Sequence, residues 1–274
     1  MASISEVESS ADKGFISLQE LVKGPMITIP QDYIRVHQEP VSHQPTFLPI
    51  IDLKKLLSTD HHVSVSEIQN LHITCKDWGF FQLVNHGTSS SLVEKVNYEI
   101  EEYFKLPFEE KAKYKSRPGD YEGFGSVVRG DGKHDWADRF FVVTNPIHSR
   151  KPYLFPELPS SLRNILESYL EKVQNLGMKL LGFMAEGLKV DKGEMEELFE
   201  NGIQSMRMTY YPPCPEPEKV MGITPHSDAT GITILHQVNG VDGLEIKKNG
   251  VWFPVCFLPD SLVINVGDIL QVCL

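Results

Sequence analysis

Much that would mark a function class outright is missing from this chain. Four cysteines occur in 274 residues, Cys75, Cys214, Cys256 and Cys273, and none share a C-x-x-C spacing. That excludes a zinc knuckle and a thioredoxin-type motif, and four are too few for a dense disulfide framework. A reducing compartment is the simpler expectation. No run of Lys and Arg stands out, and the formal net charge is -11 with a pI of about 5.4. A nucleic-acid binder usually presents a basic face, so that class is set aside. No apolar run approaches the ~18 residues of a membrane span. The N-terminal Met-Ala-Ser-Ile-Ser-Glu-Val-Glu-Ser-Ser is acidic and has no apolar h-region. It therefore reads as neither a secretory signal nor a transit peptide. Repeats and low-complexity tracts are absent too. The expectation is a cytoplasmic protein with no nucleic-acid or membrane partner. What remains is ordinary for a globular chain, 41% hydrophobic and 23% charged, and long enough for one large domain or a small one plus a larger.

The first 46 residues are polar with scattered prolines and read as an arm with one short helix near Leu18–Val22. Phe47–Asp52 is a short apolar run that fits a buried strand. Ile68, Leu71, Cys75 and Trp78 recur at helical spacing, and Gly79 ends that helix. Phe80–Val84 reads as a strand, Asn85-His-Gly87 as a turn. Leu92, Val96, Ile100 and Phe104 predict a second helix up to Leu106-Pro107. Residues 113–160 are rich in Gly, Pro and aromatics and carry no clear period. A long helix is predicted from Leu162 to about Leu188. After Phe199 the pattern turns to strands: Gln204–Tyr211, Gly231–Val238, Leu244–Val255 and Ser261–Val266. Asn249-Gly250 marks a hairpin inside the third of these. The expected organisation is an arm (1–46), a helix-containing region (47–160), a long helix (161–200) and a strand-rich region (201–274).

One pair of residues carries chemistry. In an extended chain, residues two apart face the same way, so His226 and Asp228 of Thr224-Pro-His-Ser-Asp-Ala-Thr-Gly231 could offer an imidazole nitrogen and a carboxylate oxygen to one ion. With a second histidine they would form the facial triad of a non-haem Fe(II) oxygenase, which leaves positions open for co-substrate and dioxygen. With 10 histidines and 14 aspartates in the chain, about half of one His-x-Asp arises by chance, so the bare pair decides little. The bland reading is a turn histidine hydrogen-bonded to Asp228. A similar pair, His37-Gln-Glu39, lacks any strand frame and is assigned to solvent. The context favours His226 and Asp228: Pro225 precedes them, Gly231 follows, and an alternating strand comes next, the setting in which a jelly roll holds a metal.

Four motifs occur in order: Trp78-Gly-Phe-Phe-Gln-Leu-Val-Asn-His-Gly87, Met206-Arg-Met-Thr-Tyr-Tyr-Pro-Pro-Cys-Pro215, Gly222-Ile-Thr-Pro-His-Ser-Asp228 and Asn265-Val-Gly-Asp268. Together they resemble the plant Fe(II)- and 2-oxoglutarate-dependent dioxygenases, in the senescence-related and codeine and thebaine O-demethylase branch. The resemblance runs from about residue 15 to Gln271. It implies an α+β chain: a helical N-terminal region, then a double-stranded β-helix (a jelly roll of the isopenicillin N synthase type). It implies a non-haem dioxygenase N-terminal domain over 47–160 and part of an Fe(II)/2-oxoglutarate dioxygenase domain over 201–274. His226 and Asp228 would be two of three iron ligands. Tyr211 would contact 2-oxoglutarate, and Thr209 stands where the family usually has asparagine. Phe124 and Phe141 are candidates for the substrate wall, although aromatics in such a segment are more often core. The implied cofactors are Fe(II), 2-oxoglutarate as co-substrate and ascorbate as reductant. The implied partner is a small-molecule substrate met by a monomer. The reaction would decarboxylate 2-oxoglutarate to succinate and hydroxylate the substrate; at an O-methyl carbon the product collapses and formaldehyde leaves.

The resemblance also implies a second iron histidine and an Arg-x-Ser motif beyond the last residue given, Leu274. The reading is therefore of a C-terminally truncated form with an incomplete jelly roll, open sheet edges and impaired turnover. The closing Val272-Cys273-Leu274, which looks like a translated intron start, would mark a retained intron or a gene-model artefact. His236 is a remote substitute for the missing ligand. A non-catalytic interaction protein acting through the helical part is the alternative; a cupin-like sugar- or acid-binding module fits less well.

Overall fold

In chain order the helices are α1 (Leu18–Leu21), α2 (Leu53–Leu56), α3 (His61–Asp77), α4 (Ser90–Lys105), α5 (Phe108–Ala112), α6 (Ser160–Leu188), α7 (Lys192–Glu200) and α8 (Asp268–Gln271). The strands are β1 (Ile50–Asp52), β2 (Phe80–Val84), β3 (Gly123–Gly125), β4 (Asp138–Asn145), β5 (Gln204–Tyr210), β6 (Ile232–Leu235), β7 (Glu245–Lys248), β8 (Val251–Pro254) and β9 (Leu262–Val266). This computed structural model describes residues 17–24, 28–35, 41–42, 47–128 and 130–272. The His37-Gln-Glu39 pair and Cys273 lie outside the described residues. The chain is α+β, and it divides into two compact units.

One unit comprises residues 1–38, 98–164 and 203–225. Its sheet is antiparallel in the order β3-β4-β5. Strand β4 alternates between buried and half-buried residues along its whole length, as a strand with one face on a core does. Phe140 and Val142 point to that core with Phe124 and Met208. The Tyr103 and Tyr114 rings lie 5.5 and 6.0 Å from that of Phe140. A polar cluster fastens α1 to this sheet. The buried Asp138 carboxylate accepts from Leu18 N and Gln19 N, both at 2.9 Å, and from the Ser17 hydroxyl. Buried Lys111 donates to Phe104 O at 2.8 Å and to the Gln19 side chain. A buried charge is tolerable when its hydrogen-bonding capacity is met in this way. The absence of a period over residues 113–160 hid β3 and β4, because glycines and charged residues interrupt their apolar positions.

The other unit comprises residues 39–97, 165–202 and 226–274. Its main sheet runs β1-β2-β9-β6, with β1 and β2 parallel and the other pairs antiparallel. Phe81, Leu83, Leu262 and Ile264 face one side and join Leu71, Leu176, Leu180 and Met184 of α3 and α6 in the main core. Ile232 and Ile234 pack on the same cluster. Gly177 of α6 faces them, and an added Cβ there would stand in ordinary contact, 3.6 Å from Ile232 Cδ1. The opposite face carries Val263, which packs with Leu48, Ile246 and Val255. The Phe47–Asp52 run is a strand only over its last three residues, and Phe47 is exposed.

Helix punctuation follows local chemistry. Gly79, at φ +66°, stops α3 just after Trp78, a conformation that costs a residue with a Cβ. The helix expected from Leu162 to about Leu188 is α6, and the region assigned to it over 161–200 also holds a second helix, α7. Lys189 turns to φ 59° after α6, and the Asp191 carboxylate caps α7 by accepting from Gly193 N and Glu194 N; such a cap starts a new helix. The hairpin of β7 and β8 turns through Asn249 and Gly250, at φ 51° and 81°, the two positive values a type I′ turn needs.

Gln82, fully buried in β2, organises the return of that hairpin excursion to the sheet. Its Oε1 accepts from Leu258 N at 2.6 Å and from the Ser261 hydroxyl at 3.0 Å, and its Nε2 donates to Cys256 O at 3.0 Å. Gln82→Leu keeps the volume but removes the partners of Leu258 N and Cys256 O, while the Ser261 hydroxyl keeps Leu258 O at 2.8 Å. At roughly 1–3 kcal/mol for a buried unsatisfied group, we expect a loss of about 2–4 kcal/mol in unfolding free energy. Urea denaturation measures it, and a loss below the scatter of surface variants would contradict this role for Gln82.

Candidate metal centre

His226 and Asp228 sit in an irregular segment just before β6 rather than in a strand. Their shared direction thus has a different origin from simple strand alternation. Three backbone hydrogen bonds tie the segment to the turn after β9. Asp268 N donates to Asp228 O at 2.8 Å, Gly267 N to Gly231 O at 2.8 Å and Ile269 N to Thr230 O at 3.2 Å. The close approach requires Gly267. An added Cβ would come within 2.1 Å of Thr230 O and 2.7 Å of Thr230 C, and that backbone cannot give way while its own carbonyl is bonded.

Within this frame His226 Nε2 lies 3.4 Å from Asp228 Oδ1. The contact alone fits the bland reading as well as the metal one. The second carboxylate oxygen separates them. Asp228 Oδ2 accepts from Thr233 Oγ1 at 2.6 Å and from Asn265 Nδ2 at 3.0 Å. Oδ1 is thereby left turned toward the imidazole, with the side chains of His226 and Asp228 40% and 28% exposed. The His226 imidazole, then the Thr233 and Asn265 donors, hold the Asp228 carboxyl well below the usual carboxylate range against the opposing effect of partial burial. A deprotonated carboxylate oxygen beside an imidazole nitrogen, accessible and oriented by outer hydrogen bonds, is the donor chemistry of a metal site. These two residues fit two positions on Fe(II). Among the described residues no group of three or more His, Cys, Asp or Glu converges.

His236 does not join them. Its Nδ1 lies 2.9 Å from the Tyr169 hydroxyl, and burial, then the nearby His86, pushes its pKa down to about 4. A neutral imidazole hydrogen-bonded to a tyrosine is the resulting state.

The other candidate residues belong to the first unit. Arg139 pairs with Thr209, and Phe141 with Arg207, across β4 and β5. Directly opposed residues share a sheet face, so Phe141 and Thr209 lie on one face, where Arg207 Nε donates to Thr209 Oγ1 at 3.1 Å. Tyr211 follows β5, half-exposed; a Cβ on Gly222 would come 3.0 Å from its ring. Phe124 pairs with Phe140 on the opposite face and is fully buried, with Lys111 Nζ 5.7 Å from its ring centroid. It has the core role weighed for it above, and only Phe141 is carried forward as a wall residue.

Thr233, Asn265 and Gly267 escaped the sequence reading as site residues. Asn265 and Gly267 lay inside a quoted motif, but only the register of β6 on β9 shows what they touch.

Two outcomes follow. Gly267→Ala should cost about 2–4 kcal/mol, the range of backbone clashes in packed sites, read as a shift in the thermal or urea midpoint; a shift like that of Gly243→Ala, where no atom lies within 4 Å, would refute the close approach. Second, His236 has its folded pKa lowered from 6.5, so the stability tied to its neutral form is complete above pH 6.5. It is lost as the pH falls from there toward 4. His236→Gln should flatten the stability profile over that window by about 1–2 kcal/mol, measured by urea denaturation at stepped pH.

Comparison with known proteins supplies the wider frame. Residues 48–160 match the family described as non-haem dioxygenase in morphine synthesis N-terminal, and residues 202–273 match the 2OG-Fe(II) oxygenase superfamily. The chain is 47% identical over 260 residues to an oxoglutarate-dependent flavonoid 7-O-demethylase from Ocimum basilicum, covering 93% of this chain and 69% of that one. It is 44% identical over 265 residues to codeine O-demethylase from Papaver somniferum, covering 93% and 74%. The crystal structure of JOX2 in complex with 2OG, Fe and JA superposes with a TM-score of 0.82 at 32% identity, covering 95% of this chain and 75% of that one. With its α+β fold, the chain belongs to the plant 2OG-Fe(II) oxygenases, the jelly-roll family that includes these O-demethylases.

Proposed function

We propose that this chain acts in the hydroxylation or O-demethylation of a small aromatic or alkaloid-like molecule, with His226 and Asp228 as iron ligands. One observation carries the reading: Asp228 presents Oδ1 beside His226 Nε2 while Oδ2 is occupied by Thr233 and Asn265. The demethylase relatives at 44–47% identity support the O-demethylation branch. Iron and 2-oxoglutarate, when bound, would supply the oxidising chemistry. The protein's own part is to hold His226 and Asp228 in one orientation, to contact 2-oxoglutarate through Tyr211 and Thr209, and to offer Phe141 to an aromatic substrate. The Thr209 hydroxyl already accepts from Arg207, so its contact with the acceptor oxygens of 2-oxoglutarate would use its hydroxyl proton. Ascorbate serves as reductant, and the protein works as a monomer in the cytoplasm.

The test measures iron retained per chain after anaerobic loading, with and without 2-oxoglutarate, then succinate and formaldehyde released from methoxylated flavones and alkaloids. We expect retained iron to rise with 2-oxoglutarate, formaldehyde to match succinate, and both His226→Ala and Asp228→Ala to lower succinate at least about a hundredfold. Iron retention indifferent to both substitutions would overturn the assignment.

A further inference from the structure

Asn265-Val-Gly-Asp268 is a motif that the proposed reaction leaves without a task. Each of its residues makes a contact, and three reach the segment bearing the candidate ligands. Asn265 Nδ2 donates to Asp228 Oδ2 at 3.0 Å. Val266 N donates to Gly79 O at 2.8 Å, which closes the end of β9 on the turn before β2. Gly267 N donates to Gly231 O at 2.8 Å, in the close approach that excludes a side chain. Asp268 acts twice: its N–H donates to Asp228 O at 2.8 Å, and its Oδ2 accepts from Ser227 Oγ at 3.0 Å.

Thr233 completes the arrangement from the neighbouring strand. It is the register partner of Asn265, and opposed residues project from the same sheet face. Their side chains reach the same oxygen, Asp228 Oδ2. The direction of the hydrogen bonds follows from charge. An ionised carboxylate has no proton to give, so the Thr233 hydroxyl must donate to it. Thr230 Oγ1 lies 3.3 Å from Thr233 Oγ1, and with the Thr233 proton committed, Thr230 is the donor in that pair. The order is Thr230 to Thr233 to Asp228.

We propose that Asn265 and Thr233 are positioning residues, a cross-strand pair that holds Asp228 in a single-oxygen presentation, and that Asn265-Val-Gly-Asp268 as a whole locks the His226-Ser-Asp228 segment to the sheet. The inference rests on the metal-ligand reading of His226 and Asp228. With Oδ2 engaged by two donors, Asp228 binds a metal through Oδ1. A carboxylate free to rotate would lose the orientation that makes it a partner to His226. Partners of this kind typically change metal affinity 10–100-fold when removed.

The experiment uses the full chain with Mn(II) as probe, followed by electron paramagnetic resonance of the free ion. Thr233→Val keeps the branched shape of the side chain and removes the hydroxyl; Thr233→Ser keeps the hydroxyl. We expect Thr233→Val to weaken Mn(II) binding about tenfold and Thr233→Ser to stay within about twofold of wild type. Hydrogen exchange on the metal-free proteins gives an independent reading. Thr233→Val should speed exchange at residues 226–231, with residues 68–84 unchanged. Wild-type affinity in Thr233→Val, or an equal loss in Thr233→Ser, overturns the positioning role. A wild-type chain that binds no Mn(II) overturns the metal reading instead. The exchange data then judge the lock by themselves: faster exchange at 226–231 in Thr233→Val sustains it, and unchanged exchange removes it.

Discussion

Strand β6 lies on β9 in a register that opposes Thr233 to Asn265, and the geometry of the candidate centre depends on that single alignment. In a sheet, a slip of one residue sends every side chain to the other face. Here it would turn Ile232 and Ile234 away from the core and carry Thr233 off Asp228 Oδ2. The register is fixed from the opposite face, where Ile232, Ile234, Leu262 and Ile264 pack with α6. Apolar burial, at roughly 25 cal/mol per Å², selects the alignment. The polar face inherits it. A hydrogen-bonded carboxylate is thus oriented by isoleucines on the other face of the sheet.

That division of labour resolves an electrostatic difficulty. A half-buried carboxylate loses hydration, which alone would favour its protonated form. Protonation would remove the anionic oxygen a cation needs. Asp228 instead sits below the usual carboxylate range because His226, Thr233 and Asn265 all favour the charged state. Two of these three bond to the oxygen directed away from His226. Those two donors add to the effect of His226, which faces Oδ1, without themselves drawing on the Oδ1 lone pairs. Asp268, just past β9, accepts from the Ser227 hydroxyl through its carboxylate, while its backbone N–H donates to the Asp228 carbonyl.

The fold was legible wherever periodicity was strong. The stripe of Ile68, Leu71 and Cys75, the strand Phe80–Val84 and the Asn249-Gly250 turn all stand where their spacing and turn chemistry place them. Strands β3 and β4 were not legible, because a glycine-flanked Phe124 and an Asp-Arg start to β4 lack a clean alternation and depend on tertiary partners. The end of α6 at Leu188 was legible from its apolar stripe, whereas the separate helix α7 was not, although Asp191 is a capping residue followed by acidic residues. At the site, His226 and Asp228 were visible as a motif. Thr233 and Asn265 were not, because a role that comes from two strands 32 residues apart in sequence needs the register. Phe124 and Phe141 illustrate the converse. They look equivalent in sequence, yet pairing with Phe140 and Arg207 puts them on opposite faces of one sheet.

The register also connects the site to a residue far from it in role. Between β6 and β9 the chain leaves the sheet for the β7–β8 hairpin and must re-enter at the correct residue. Gln82 controls the re-entry: it binds Cys256 O, Leu258 N and the Ser261 hydroxyl immediately before β9 begins at Leu262. It also stands opposite Val263 in the β2–β9 pairing. Moving the entry by one residue would present Val266 or Ile264, not Asn265, to Thr233. A buried glutamine in β2 therefore sets which side chain meets Asp228. The Trp78–Gly87 motif, which supplies both Gln82 and the Gly79 carbonyl that receives Val266 N, is coupled to the candidate metal centre through β9, although none of its residues belongs to the ligand pair.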